Sequence, residues 1–298
     1  MSTVDYRVSP EEDGRKVRDI LRRGMNVSYS AMKSAKWGGR IRLNGESVHT
    51  NAIVRAGDTV TIAWAEDEPV YELKGYDLPL DIPYIDEHLM VIVKPSPLAS
   101  QSSRNHPDDS LENAVFSYLG CPDGFVYRPV NRLDKGTGGL MVVARTPHAQ
   151  HLMQRQLHTP SFRRLYLALT DGVPAEREGV IDLPIGKAPE ASVRRIVTPE
   201  GKKSVTRYRV LREADGEALV LLELETGRTH QIRVHLSAAG CPVHGDFLYG
   251  TEDTVRFPGC FALHSAYLSF FHPITGEKLA FRSVPAWAGE DVLLVDMD

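Results

Sequence analysis

The residues best suited to chemistry lie in Arg128-Pro-Val-Asn-Arg-Leu-Asp134-Lys-Gly-Thr-Gly-Gly-Leu140. One carboxylate, Asp134, stands between Arg132 and a glycine-rich turn, and the apolar run Leu140–Ala144 follows at once. A carboxylate on a tight turn at the mouth of a strand is held in one geometry and is partly shielded from water. That suits an acid, a base or a nucleophile. An Asx-type turn, with Asp134 bonding nearby amides before Gly136, would explain the same residues. A second segment argues for chemistry. It runs Thr226-Gly-Arg-Thr-His-Gln-Ile-Arg233-Val-His-Leu-Ser-Ala-Ala-Gly240-Cys-Pro-Val-His-Gly-Asp246-Phe-Leu-Tyr249. If 229–239 is a helix, Ile232, Leu236 and Ala239 share an inward face, and Thr229, Arg233 and Ser237 form a separate stripe.

Together the two segments resemble the RluA family of RNA pseudouridine synthases. That family carries a His-Arg-Leu-Asp-x-x-Thr-Ser-Gly-Leu block and a later Gly-Arg-Thr-His-Gln-Ile-Arg-Val-His block. Between them lies a tyrosine in a Lys-x-Tyr-x-Ala-type strand, here Arg164-Leu-Tyr166-Leu-Ala168. The likeness runs from about Asp81 to the C-terminus. Two positions depart from it, Asn131 where histidine is usual and Gly138 where serine is usual.

The resemblance implies isomerisation of uridine to pseudouridine. The N1–C1′ bond breaks, the detached uracil turns, and C5 joins C1′. The reaction needs a carboxylate near the ribose, a closed pocket and a route for the C5 proton, and no cofactor. Asp134 would be the carboxylate, with two routes open to it: attack at C1′ or removal of the C2′ proton. Arg233 would pair with Asp134 and orient it. Tyr166 would stack on the uracil, although a core aromatic between Leu165 and Leu167 is the plainer reading of that strand. Arg132 would fill the gap left by the extracted nucleotide, whose removal from the stack costs a few kcal/mol. Asn131 can still hydrogen-bond to RNA there, Ile232 would wall the pocket, and Leu140 would be pocket wall or plain core.

Other signals point away from alternative chemistries. His230 and His235 are five apart, unlike an i, i+4 metal pair, and with His244 and His264 they read as structural, so no metal is expected. Gly136-Thr-Gly-Gly139 lacks the ending of a phosphate loop, and no G-x-S-x-G hydrolase elbow occurs. The main alternative is a catalytically silent RNA-binding protein. An RNA hydrolase using Asp134 as base would need a water-activating partner that the sequence does not supply.

The elements that must position these residues suggest an α+β chain. The large domain, 81–298, is expected to hold a mixed, mainly antiparallel sheet with flanking helices, the pseudouridine synthase fold. Its strands include Leu89–Val93, Leu140–Ala144, Phe162–Thr170, Thr206–Leu211, Leu219–Glu225, Ser265–Phe271 and Lys278–Arg282, with a hairpin at Asp215-Gly216. Ser110 caps a helix to Tyr118, Thr146-Pro147 opens another to about His158, and Thr229 caps a third that Gly240 closes.

Residues 1–13 read as a flexible N-terminus and 64–80 as an acidic linker. Between them, 14–63 resembles an S4 RNA-binding domain. A helix over Gly14–Arg23 and a second over Ser30–Lys36, with Ser30 a cap, precede Leu43-Asn44-Gly45 and a Gly57-Asp58-Thr59-Val60 strand. The arginine usual at the start of the second helix is absent, Lys33 and Lys36 being the nearest bases. Arg18, Arg22, Arg23, Lys33, Lys36 and Arg40 are the expected RNA contacts of this module.

Charge distribution supports that division. The formal net charge is −4, yet residues 14–42 carry nine Lys/Arg against one acid. Residues 64–88 carry eight acids against one lysine, and 187–209 carry seven bases against two acids. Phosphate binding depends on such local patches, so the negative total does not exclude RNA. With 42% hydrophobic and 25% charged residues the composition is that of a globular protein. The first fourteen residues hold no apolar signal core, no run reaches membrane-spanning length, and three scattered cysteines form no C-x-x-C. A cytoplasmic protein is expected, acting as a monomer on structured RNA, either ribosomal RNA or tRNA, without a membrane.

Overall fold

The computed structural model describes residues 3–27, 29–37, 39–63, 73–157, 159–189, 193–289 and 292, with the side chains of residues 30, 34 and 37 left aside. Two sheets, each with its own core, organise the chain. The first belongs to the N-terminal module. Strands β1 (Thr3–Arg7), β2 (Ile41–Leu43), β3 (Glu46–Ser47) and β4 (Thr59–Ala63) pair in the order β1-β4-β2-β3. Helices α1 (Val17–Asp19) and α2 (Tyr29–Trp37) lie between β1 and β2 in the chain, with a π-helical turn over Ile20–Gly24. Val17, Ile20, Leu21, Ile41, Val54, Val60 and Ile62 form a core drawn entirely from this module. Asn44 and Gly45 both take positive φ, as a two-residue hairpin requires. Asn44 donates from Nδ2 to Asp58 Oδ1 at 2.8 Å, and its own Oδ1 accepts from the Thr59 amide, also at 2.8 Å. The Asn-Gly and Gly-Asp motifs thus lock together.

Three expectations for this region change. Thr3–Arg7 is not a flexible leader: alternating burial along it pairs with β4 from Thr3↔Ala63 to Arg7↔Thr59. The first helix is broken into a short α-turn and a π-turn. Ser30 falls inside α2, which starts at Tyr29, so it is not the cap. Of the expected linker, 64–72 lie outside the described residues.

The second sheet has ten strands. They are β5 (Asp81–Ile85), β6 (Leu89–Lys94), β7 (Arg128–Pro129), β8 (Gly138–Ala144), β9 (Arg163–Asp171), β10 (Glu178–Asp182), then β13 (Val205–Ala214), β14 (Glu217–Leu224), β15 (Leu263–Phe271) and β16 (Lys278–Arg282). A separate hairpin pairs β11 (Ile185–Lys187) with β12 (Arg195–Val197). The main path runs β10-β13-β14-β9-β15-β8-β6-β5, with β16 on β15 and β7 on β8. Every pairing is antiparallel except β15 with β8, where His264 and Ser265 face Gly138 and Gly139. That parallel contact is why Gly139 must be glycine. Its φ is +103°, and a Cβ there would lie 2.3 Å from the Ser265 carbonyl oxygen.

Both faces of this sheet are covered. Met141 and Val143 of β8, Tyr166 and Ala168 of β9, and Val220 and Leu222 of β14 share one core. Helices α3 (Leu111–Tyr118) and α5 (Gln231–Ala238) pack on it through Leu111, Val115, Ile232 and Leu236. Leu140 and Val142 point to the other face, under Ala149 and Met153 of α4 (Pro147–Gln156). Ser110 and Thr146 cap α3 and α4 through the amides of Asn113 and Ala149.

Candidate active site

Asp134 follows the short strand β7 and precedes β8, in a loop stitched to residues 94–100. Ser100 Oγ donates to the Leu133 carbonyl at 2.6 Å and accepts from the Leu133 amide at 3.2 Å. Ser96 Oγ donates to the Gly136 carbonyl at 2.8 Å, and the Leu98 amide to the Lys135 carbonyl at 3.0 Å. Lys94, at the end of β6, is buried. Its Nζ donates to the carbonyls of Leu98 at 2.7 Å, Pro95 at 3.0 Å and Lys135 at 3.4 Å. Burial pushes the Lys94 ammonium down to about 7, against the pull of Asp134. A Cβ on Gly136 would sit 2.5 Å from the Phe261 ring, so the turn has no room for a side chain. The backbone around Asp134 is therefore fixed before any substrate arrives.

Arg233, on the inner face of α5, meets this loop. Its Nη1 donates to Asp134 Oδ2 at 2.9 Å, while Nε and Nη2 donate to the two oxygens of Asp246 at 2.7 and 2.8 Å. The guanidinium is 4% exposed, Asp246 is fully buried and Asp134 is 27% exposed. One carboxylate therefore anchors the arginine and the other remains open to the cleft. Phe261 lies against the guanidinium with its centroid 4.2 Å from Cζ, and Tyr249 at 5.0 Å. Asp246 also accepts from the amides of Leu248 and Tyr249, so the loop after α5 is tied to the same ion pair.

The N-terminus of α5 departs from expectation. Thr229 is not its cap. His230 holds that place, in the left-handed region at φ 58°. Nor is His230 remote from the chemistry, as a purely structural histidine would be. Its Nε2 lies 3.8 Å from Asp134 Oδ2, and its Nδ1 is 2.8 Å from the Tyr249 hydroxyl. That hydroxyl also accepts from the Arg195 amide at 2.8 Å, so it ties His230 to the start of β12. Burial lowers the His230 pKa although Asp134 opposes it, which favours the neutral ring. His235 is structural: it bonds Thr206 Oγ1 and the Leu183 carbonyl.

These groups surround a cleft of about 580 Å³, within the usual range for small-molecule sites. Asn131, Arg132, Asp134, Arg164, Tyr166, Arg228, His230, Ile232 and Arg233 line it. Strand alternation puts Tyr166 on the cleft face, whereas Leu165 and Leu167 pack on the opposite side with Tyr267. Burial raises the Tyr166 pKa, so the phenol presents its ring and a protonated hydroxyl. Arg132 is exposed at the mouth, its Nη1 3.3 Å from Gln101 Oε1. Asn131 is buried, and its Oδ1 accepts from the Val142 amide, so it braces β8. Leu140 does not wall the pocket; it is fully buried on the far face of β8, one residue out of phase with the cleft.

Asp246, Tyr249, Phe261 and Lys94 carry this arrangement, yet composition and spacing assign them no role. Asp246 alone left a trace, as an acid in an otherwise apolar and glycine-rich run. Two residues before Asp246 in the same loop, His244 hydrogen-bonds Asp171 at 2.5 Å and Asp253 at 2.9 Å and pairs with Glu217 at 3.2 Å. Asp171, Glu217 and His244 offer ligand atoms within 4.8 Å of one another. With both imidazole nitrogens on carboxylates, the set reads as an ion-pair latch.

A conserved-domain model described as RNA pseudouridylate synthase matches residues 88–238, which spans Asp134, Tyr166 and Arg233. The chain belongs to this family. An RNA pseudouridine synthase of Bacillus subtilis is 39% identical over 261 residues, covering 87% of this chain and 92% of that one. Ribosomal large subunit pseudouridine synthase D of Pseudomonas aeruginosa is 36% identical over 292 residues, covering 92% and 90%. The solved structure of human RNA pseudouridylate synthase domain containing 1 superimposes with a TM-score of 0.58 at 27% identity, over 72% of this chain and 86% of that one. The protein is thus an RNA pseudouridine synthase with the expected α+β fold, and the silent-binder alternative is set aside. Among the described residues of the synthase, no helix is long and apolar enough to cross a membrane.

Proposed function

We propose that the synthase isomerises specific uridines of structured RNA, ribosomal RNA first among them, with Asp134 acting at the ribose. One observation carries this reading: a half-open carboxylate at a closed-backed cleft, hydrogen-bonded to an arginine whose other donors a buried aspartate already occupies. In this reading Arg233 orients Asp134 and Tyr166 stacks on the loosened uracil. The N1–C1′ bond breaks with its electron pair left on the uracil and Asp134 at the sugar; C5 attacks C1′, the C5 proton leaves to water, and N1 takes up a proton from water. No redox partner is consumed. Arg132 takes the space vacated by the flipped nucleotide. The ribosomal target rests on the names of relatives such as the Pseudomonas protein.

The N-terminal module is read as an S4-like RNA anchor. Arg18, Arg22, Arg23, Lys33 and Lys36 are exposed there and Arg40 half-buried. Arg22 also braces the Val27 carbonyl at 2.9 Å, and Asn26 accepts from Arg155 of the large domain. The synthase works as a monomer in the cytoplasm in this account. The test is to map pseudouridines in total RNA from cells with and without the gene, and to restore the gene as wild type or Asp134→Asn. Sites that vanish on deletion and return only with the wild type are expected. An unchanged map would overturn the reading.

A further inference from the structure

Arg164 sits two residues before Tyr166 on β9 and faces the same cleft. It is 6% exposed, and among the described residues its Nε has no hydrogen-bond partner. Nearby arginines have acids: Arg163 on the same strand pairs with Glu223, Arg207 of β13 with Glu225, and Arg233 of α5 with two aspartates. Among the described residues Arg164 has none. The Phe162 ring lies 5.9 Å from its Cζ. The guanidinium also lies against Gly227, where a Cβ would stand 3.1 Å from Nη1. The first glycine of the Gly-Arg-Thr block is what makes room for it. A guanidinium withdrawn from water without an anion is strongly unfavourable, so folds rarely keep one unless a ligand completes it. Uracil is neutral and cannot supply the missing charge. The anion available beside a flipped nucleotide is its phosphodiester, and a guanidinium fork matches two phosphate oxygens.

We propose that Arg164 grips a phosphodiester flanking the target uridine, fixing the backbone so that ribose and base arrive at Asp134 and Tyr166. The proposal rests on the reading of this cleft as the uridine site.

The test uses the full-length protein and 5-tritiated-uridine RNA extracted from cells lacking the gene, with tritium release as the activity. Arg164→Met should raise KM about ten- to hundredfold with little change in kcat, as loss of a charged contact made equally before and during reaction requires. In an Asp134→Asn background, which binds without turnover, the same change should lower the slope of log affinity against log salt by about 0.7 to 0.9, one phosphate's worth. Arg164→Lys should keep the slope and recover part of KM. Without RNA, the Met variant should melt no lower than the wild type, because the cation it removes has no acid among the described residues; a merely structural arginine would lower it. A folded Met variant with unchanged KM and salt slope overturns the proposal. Should the Met variant not fold, the Lys variant decides: raised KM with unchanged slope supports the proposal, and unchanged KM overturns it. Wild-type protein that releases no tritium from this RNA would instead overturn the functional reading beneath it.

Discussion

The cleft and the N-terminal module use charge in opposite ways. In the module, Arg18, Arg23, Lys33 and Lys36 stand exposed on short helices over a core that residues 8–62 complete among themselves. Each can meet a phosphate independently of the others. In the cleft, the loop of Asp134 meets the segment that carries His230, Arg233 and Asp246; Arg233 hydrogen-bonds both carboxylates, and His230 Nε2 lies 3.8 Å from Asp134. Charges in water contribute about 0–1 kcal/mol per pair, whereas removing one member of a buried pair costs about 3–5 kcal/mol. Substitutions should therefore be graded and additive in the module, and abrupt and coupled in the cleft.

The sharpest form of that contrast is Asp134→Asn. The amide is isosteric, and Asp246 still anchors Arg233 with two hydrogen bonds. The protein should fold and bind RNA while tritium release from 5-tritiated uridine falls to background. Measurable release by the folded variant would remove Asp134 from the chemistry. Next come the members of the pair. Asp246→Asn should cost about 3–5 kcal/mol in a urea melt, because the arginine loses a bidentate partner in a buried site. Activity should fall with it by orders of magnitude. Arg233→Met should reduce activity to a similar degree, and Arg233→Lys should rescue only part, since an ammonium cannot span two carboxylates in a plane. If Asp246→Asn behaves like a surface change, the interlocked picture of the cleft is wrong.

A smaller effect is expected from His244, at the loop that carries Asp246. Burial works against its imidazolium, but the hydrogen bonds to Asp253 and Asp171 outweigh it, and Arg256 is the opposing cation; the net pKa is raised. The stabilisation is then fully present below the unfolded value of about 6.5 and is lost as pH rises through the higher folded value. Thermal melts across that window should show the loss in the wild type and a flatter profile in His244→Gln. Equal profiles would mean the latch contributes nothing.

The smallest single-site effects belong to the module. Replacing Arg18, Arg23, Lys33 and Lys36 together by Gln should leave stability within about 0.5 kcal/mol per site while flattening the salt dependence of binding to long RNA. Deleting residues 1–75 should do the same more strongly, with less effect on a short stem-loop. Unchanged affinity and salt slope in a soluble truncation would show that the module is not an RNA anchor.

What the sequence by itself determined was local. Ser110 and Thr146 cap helices because an oxygen two or three residues ahead of an amide needs no distant partner. Asn44-Gly45 and Asp215-Gly216 turn because both pairs tolerate positive φ. The two long blocks named the family and the ordering of Asp134, Tyr166 and Arg233 along the chain. Tertiary structure decided what each side chain faces. Leu140 and Met141 differ by one residue, and only the layers on either side of β8 tell which packs in the core beneath Tyr166 and Ile232. Thr3–Arg7 becomes a strand because β4 offers it a free edge fifty residues later. Asp246 matters because it meets Arg233, and Gly139 because β15 crosses parallel to β8 there. Arg164 is unusual because no acid among the described residues pairs with it. Turns and caps are set by bonds spanning a few residues. Partners a hundred residues apart are set by strand order, which local pattern does not encode.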